Sequence, residues 1–229
     1  VTDDGPHRPG GRPCAVPFAD VTTEPFRPTE PSRPTEPSRP TGLSAASSPP
    51  EPAEPLPDFP YHPDPVATGS LARSGAACLC CGRSRSGVYT GPVFAEADLH
   101  GRLCPWCLAD GTAARRFEAH FIGDAIGEDV PLAVLVAVDS RTPGFSAWQD
   151  PRWYFHCGDG AVFLGRIGAA DLAGHPEAER ALRAELESWG WPGPQIEDHL
   201  RGLDRDGEPT GYLFRCRGCR RYLAYSDLA

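Results

Sequence analysis

Apolar positions along this 229-residue chain fall into two regimes. Up to residue 57 they are sparse and aperiodic, and proline interrupts every window that a helix would need. From residue 58 onward they become patterned. Pro176 to Ser188 brings Ala181, Leu182, Leu186 and then Trp189 onto one side of a helical repeat, which predicts an amphipathic helix. Leu108 to Ala119 predicts a second helix, and Gln195 to Leu203 a further short one. Val130 to Ser140 is apolar almost without interruption, with Pro131 in its first turn, so a short buried helix is expected there. Val88 to Phe94 predicts a strand broken at Gly91-Pro92. Trp153 to Cys157 and Ala161 to Gly165 flank Gly158-Asp159-Gly160, a hairpin signal. Gly211 to Cys216 and Arg221 to Tyr225 predict a second strand pair. Asp58 to Pro65 is too proline-rich for a helix and should run extended, with Phe59 and Tyr61 packed inward. The sum is an α+β fold.

The first 57 residues predict a disordered tail preceding a domain at 58–229. Eighteen of the 27 prolines fall within the first 65 residues. From Pro25 to Pro40 a proline recurs at every third position, matching the three-residue turn of polyproline II, and Arg27, Arg33 and Arg39 repeat beside them. Such a segment reads as a stiff, soluble spacer. The formal charge is -9. An acidic chain gains little from phosphate neutralisation, which disfavours broad nucleic-acid affinity. No apolar run is long enough for a signal peptide in residues 1–30 or for a membrane span later. A cytoplasmic location without membrane association is therefore expected, and in such a compartment the nine cysteines read as metal ligands before disulfides.

Their spacing supports that reading. Cys78 and Cys81 are separated by two residues, as are Cys104 and Cys107, and 22 residues lie between the pairs. Two thiolates from each of two tight turns make the four-cysteine set of a structural zinc site. Cys80 lacks chelating spacing and reads as a buried thiol; Cys14 lies in the tail. A third pair, Cys216 and Cys219, supplies half of a second site. Cys157 and His156 are the expected completion. Adjacent strand residues point to opposite faces, so both reach one ion only if the chain turns there, as the approach to Gly158 allows. If His156 points away, Asp159, a distant histidine or water takes the fourth place. Two Zn2+ ions are expected, in a small domain stapled by treble-clef-like and zinc-ribbon-like modules: a knuckle and strand followed by a cysteine turn that opens a helix.

No phosphate-cradling glycine loop, HExxH motif or nucleophile elbow occurs. The leading expectation is a non-enzymatic zinc protein acting through an unknown protein partner. One alternative is a zinc hydrolase with an open site at Cys157, Cys216 and Cys219, using Asp159 or His156 as general base. Another is a nucleic-acid-binding ribbon face carrying Arg215, Arg217, Arg220 and Arg221.

A run of local motifs resembles the CbrC family, small bacterial proteins without an established biochemical activity. The stretches are Phe59-Pro60-Tyr61-His62-Pro63-Asp64-Pro65, Cys78 to Gly82, Tyr89-Thr90-Gly91-Pro92-Val93, and Leu103-Cys104-Pro105-Trp106-Cys107-Leu108-Ala109-Asp110-Gly111. They continue through Arg141-Thr142-Pro143-Gly144-Phe145, His156-Cys157-Gly158-Asp159, Leu164-Gly165, and Leu213 to Asp227. The resemblance spans about residues 57 to 229 and excludes the repeat tail. It implies a bacterial cytoplasmic protein connected with tolerance of nuclease-type colicins, under envelope-stress or nutrient-sensing regulation.

Overall fold

The computed structural model describes residues 54–228; residues 1–53 of the expected tail, Cys14 among them, lie outside these. A two-stranded antiparallel ribbon, β1 (Leu71–Arg73) with β2 (Gly87–Tyr89), opens the domain. Two short helices follow, α1 (Pro105–Ala109) and α2 (Thr112–Phe117). Next come β3 (Asp124–Gly127), α3 (Leu132–Arg141), β4 (Arg152–His156), β5 (Asp159–Gly160) and β6 (Val162–Ile167). Helices α4 (Ala169–Ala173), α5 (Pro176–Ser188) and α6 (Gly193–Gly202) precede β7 (Thr210–Arg215) and β8 (Tyr222–Asp227). The mixture is α+β, as the patterning predicts.

Three apolar clusters hold these elements together. The first gathers Phe59, Leu71, Tyr89, Leu103, Leu108 and Phe121 around Cys78, Cys104 and Cys107. The antiparallel sheet β6-β7-β8 separates the other two. Strand alternation sends Tyr212, Phe214, Leu223 and Tyr225 to one face and Leu213 and Ala224 to the other. On the first face Phe145 stacks on Phe163 at 3.8 Å between ring centres, and Trp153 donates its indole N–H to the Ala161 carbonyl at 2.9 Å. Each such aromatic contributes roughly 1.5–3 kcal/mol through burial. On the second face Ala178, Leu182 and Leu186 of α5, spaced four apart, pack with Ile196 and Leu200 of α6. Pro176 and the acids Glu177 and Glu179 suit the first turn of α5.

Several expectations change. The strand expected over 88–94 ends at Tyr89, and Phe94 keeps only an isolated bridge to His120. The helix expected over 108–119 is two helices, because Gly111 adopts φ 74° and ends the first. The apolar segment at 132–141 is helical but not buried: only Val138 is enclosed. The strand after Asp159 does not continue a long hairpin with β4. Two residue pairs close the hairpin, after which the chain passes into the other sheet and β6 pairs with β7. Trp189 is 52% exposed, and Ala178 takes the inward place assigned to it.

Candidate metal centres

The first four thiols converge from two local structures. Cys78 and Cys81 lie in a tight turn closed by the isolated bridge between Ala77 and Ser84. The Cys78 N–H donates to the Arg83 carbonyl at 2.9 Å, and the Gly82 N–H donates to the Cys78 carbonyl at 2.7 Å. Closing that loop places Gly82 at φ 71°, which costs a residue without Cβ nothing. Cys104 sits at the N-cap of α1, where Pro105 fixes the first helical φ, and Cys107 follows one turn later. The four sulfurs lie within 4.8 Å of one another, with Cys81 Sγ and Cys104 Sγ 3.9 Å apart. Tetrahedral zinc–thiolate bonding asks for sulfurs about 3.8 Å apart.

Burial raises the Cys78 thiol, but the N–H groups of Cys104, Cys81 and Cys80 point at its sulfur and outweigh it, bringing the pKa down to about 7. The Cys104 N–H lies 3.2 Å from that sulfur. Burial pushes Cys104 up to about 11 and, with the neighbouring Cys104 and Cys81 thiols, raises Cys107 as well. Cys80 is buried beside the cluster but outside the tetrad, and Arg116 donates to its carbonyl.

The second group joins His156 and Cys157 to Cys216 and Cys219, again with ligand atoms within 4.8 Å. The turn the sequence required is present. Cys157 and Gly158 occupy the two central positions of the β4–β5 hairpin at φ 55° and 72°, the left-handed pair of a type I′ turn. The turn brings His156 Nδ1 to 3.1 Å from Cys157 Sγ and 3.6 Å from Cys219 Sγ.

Cys216 and Cys219 form a second copy of the first turn. The Cys216 N–H donates to the Arg221 carbonyl at 2.9 Å, and the Arg220 N–H to the Cys216 carbonyl at 3.2 Å. Arg220, one place after the second cysteine, stands at φ 66° where the first turn has glycine. This equivalence was not readable from spacing, because arginine rarely marks a left-handed position. The hydrogen bond with Cys219, then burial, pushes Cys157 up to about 11; the Arg221 N–H lowers Cys219.

Asp159, considered as a ligand or base, faces elsewhere. It accepts hydrogen bonds from Tyr61 and the Gly160 N–H, both at 2.8 Å, and pairs with Arg217 at 2.6 Å. Arg217 lies 4.9 Å over the Tyr61 ring. These three side chains tie the second cysteine turn to the segment around Tyr61, which does not run extended as expected but turns at Phe59–His62, where the His62 N–H donates to the Phe59 carbonyl at 3.0 Å. His62, not singled out by the sequence as functional, is fully buried. Its Nδ1–H donates to the Pro143 carbonyl at 2.7 Å, which leaves Nε2 to accept from the Thr68 hydroxyl at 2.6 Å.

The soft thiolate and imidazole donors of both groups are compatible with metal ions, zinc among them. Among the described residues, no helix is long and apolar enough to cross a membrane.

A family model described as an uncharacterised protein family, UPF0167, matches residues 56–228. UPF0167 proteins of Mycobacterium bovis and Mycobacterium tuberculosis are each 49% identical over 176 residues, covering 76% of this chain and 94% of theirs. A UPF0167 protein of Pseudomonas aeruginosa is 39% identical over 177 residues, 76% of this chain and 97% of its own. No solved structure matches.

Proposed function

This chain belongs to the uncharacterised family UPF0167, and we propose that it is a non-enzymatic two-zinc protein that works through protein contacts. The carrying observation is that each cluster already assembles four protein ligand atoms. Cys78, Cys81, Cys104 and Cys107 hold the first ion in a treble-clef-like module; His156, Cys157, Cys216 and Cys219 hold the second between two hairpins, in the manner of a zinc ribbon. A catalytic zinc keeps a position for water, and four protein donors leave none. Asp159, one of the two candidate bases, is engaged by Tyr61 and Arg217, and the other, His156, is itself one of the four donors.

The ions act as staples. The first sits inside an apolar cluster, and the second joins β4–β5 to β7–β8 at one end of the central sheet. The resemblance to the CbrC family supports a role in tolerance of nuclease-type bacteriocins in the bacterial cytoplasm, exerted on a protein partner. X-ray absorption at the zinc edge tests the closed shells: sulfur with a minor nitrogen contribution is expected, and an oxygen scatterer would point to a hydrolytic site. Survival of expressing and deleted strains under a nuclease bacteriocin tests the role, and equal survival would remove it.

A further inference from the structure

Helix α3 turns apolar residues outward. Leu132, Leu135 and Val136 are 73%, 37% and 44% exposed. Their spacing of three and four places them in one stripe along the helix. Soluble monomers seldom leave so apolar a stripe facing water. Beside the C-terminal half of α3 lies a groove of about 390 Å³ against α2, lined by Ala114, Ala119 and Val136 and rimmed by Arg115 and Arg141.

Charge is distributed unevenly along this face. Glu128 and Asp129 are exposed just before α3, and Arg115 and Arg141 are exposed at its other end. Among the described residues none of these four is in an ion pair. The arginines donate instead to the Asp110 and Ala109 carbonyls and to Thr112. Other charges there include Glu118, at the groove, Asp110, whose carboxylate accepts from the Thr112 N–H, and Asp139, which His120 holds at 2.6 Å.

We propose that this face binds a second copy of the same chain, with α3 packed antiparallel on α3 about a two-fold axis. An isologous interface must be complementary to itself. Here the protruding Leu132 lies at one end of the helix and the groove at the other. An antiparallel pair seats each Leu132 in the other copy's groove, and it brings Glu128 and Asp129 of each copy toward Arg115 and Arg141 of the other. A parallel pair would set acid against acid and leave both grooves empty.

Sedimentation equilibrium of the zinc-loaded full chain tests this. The expected species has twice the 24.6 kDa chain mass. Because Leu132 is exposed, Leu132→Asp should leave zinc content and circular dichroism unchanged while weakening association about a hundredfold, since the side chain is buried twice per dimer. Asp129→Arg should weaken it about tenfold at low salt and less at high salt. A monomer at all concentrations, or a dimer indifferent to Leu132→Asp, overturns the proposal. Tighter association of Asp129→Arg overturns the antiparallel arrangement.

Discussion

The equivalence of the two cysteine turns can be tested at the residue after each second cysteine. Gly82 and Arg220 stand at φ 71° and 66°. A Cβ there costs roughly 1–2 kcal/mol in the folded turn. Part of the gain from removing it is offset by glycine's greater freedom in the unfolded chain, about 0.5–1 kcal/mol. The net preference for glycine over alanine is thus about 0.5–1 kcal/mol, a factor of about 2–5 in an equilibrium constant. Nothing lies within 4 Å of a Cβ built on Gly82, so no packing change enters. Gly82→Ala should weaken the first zinc ion by that factor. At position 220 the comparison is between Arg220→Gly and Arg220→Ala, which both remove the guanidinium and differ only in the Cβ. Arg220→Gly should bind the second ion more tightly, again by about 2–5-fold. Competition with a chromophoric chelator reads both sites, each unmutated cluster serving as the internal reference. Equal affinity for Arg220→Gly and Arg220→Ala would refute the reasoning, because the left-handed position would then not be a condition of metal binding.

Other outcomes follow from the same geometry. Burial lowers the pKa of His62 to about 4, against an ordinary 6.5. Because the folded value is the lower one, its contribution is complete above pH 6.5 and is lost as the pH falls toward 4, about 3 kcal/mol in all. His62→Gln should therefore lose stability near neutral pH, with the urea-midpoint gap to the parent narrowing on acidification; a constant gap would contradict this. A Cβ at position 144 would lie 1.8 Å from the Phe121 carbonyl oxygen, so Gly144→Ala should cost about 2–4 kcal/mol, read as a lowered thermal midpoint; an unchanged midpoint would count against this packing. Cys80→Ala should leave zinc content unchanged, since its thiol lies outside the tetrad; loss of an ion would assign Cys80 as a ligand.

Much of the candidate chemistry was legible because cysteine spacing is a local signal. A pair separated by two residues specifies its own turn, and no tertiary information is needed to recognise it. Pairing the right turns relied on spacing for the first site and on Gly158 for the second, where the chain had to reverse for His156 and Cys157 to converge. Helix α5 and the β7–β8 pair were legible for the same reason: each periodicity lies within one element. What depended on the whole fold was not. The apolar run at 132–138 shows no polar face to distinguish a buried helix from one that leaves apolar residues outside. Strand β6 satisfies the alternation of either sheet, and only β7, some fifty residues later, decides its partner. Gly111 is an ordinary helix-weakening residue in sequence and becomes a helix stop only because the chain must turn there into α2. His62 sits among prolines, and its partners at Pro143 and Thr68 come from segments that spacing alone does not bring together.

The most direct test of the two-zinc account is elemental analysis of the purified full chain with Cys157→Ser and His156→Ala beside it. The account requires two zinc ions per chain in the parent and about one in each variant. A single ion in the parent would contradict the second centre. Two ions in His156→Ala would contradict its closed shell and leave a coordination position to water.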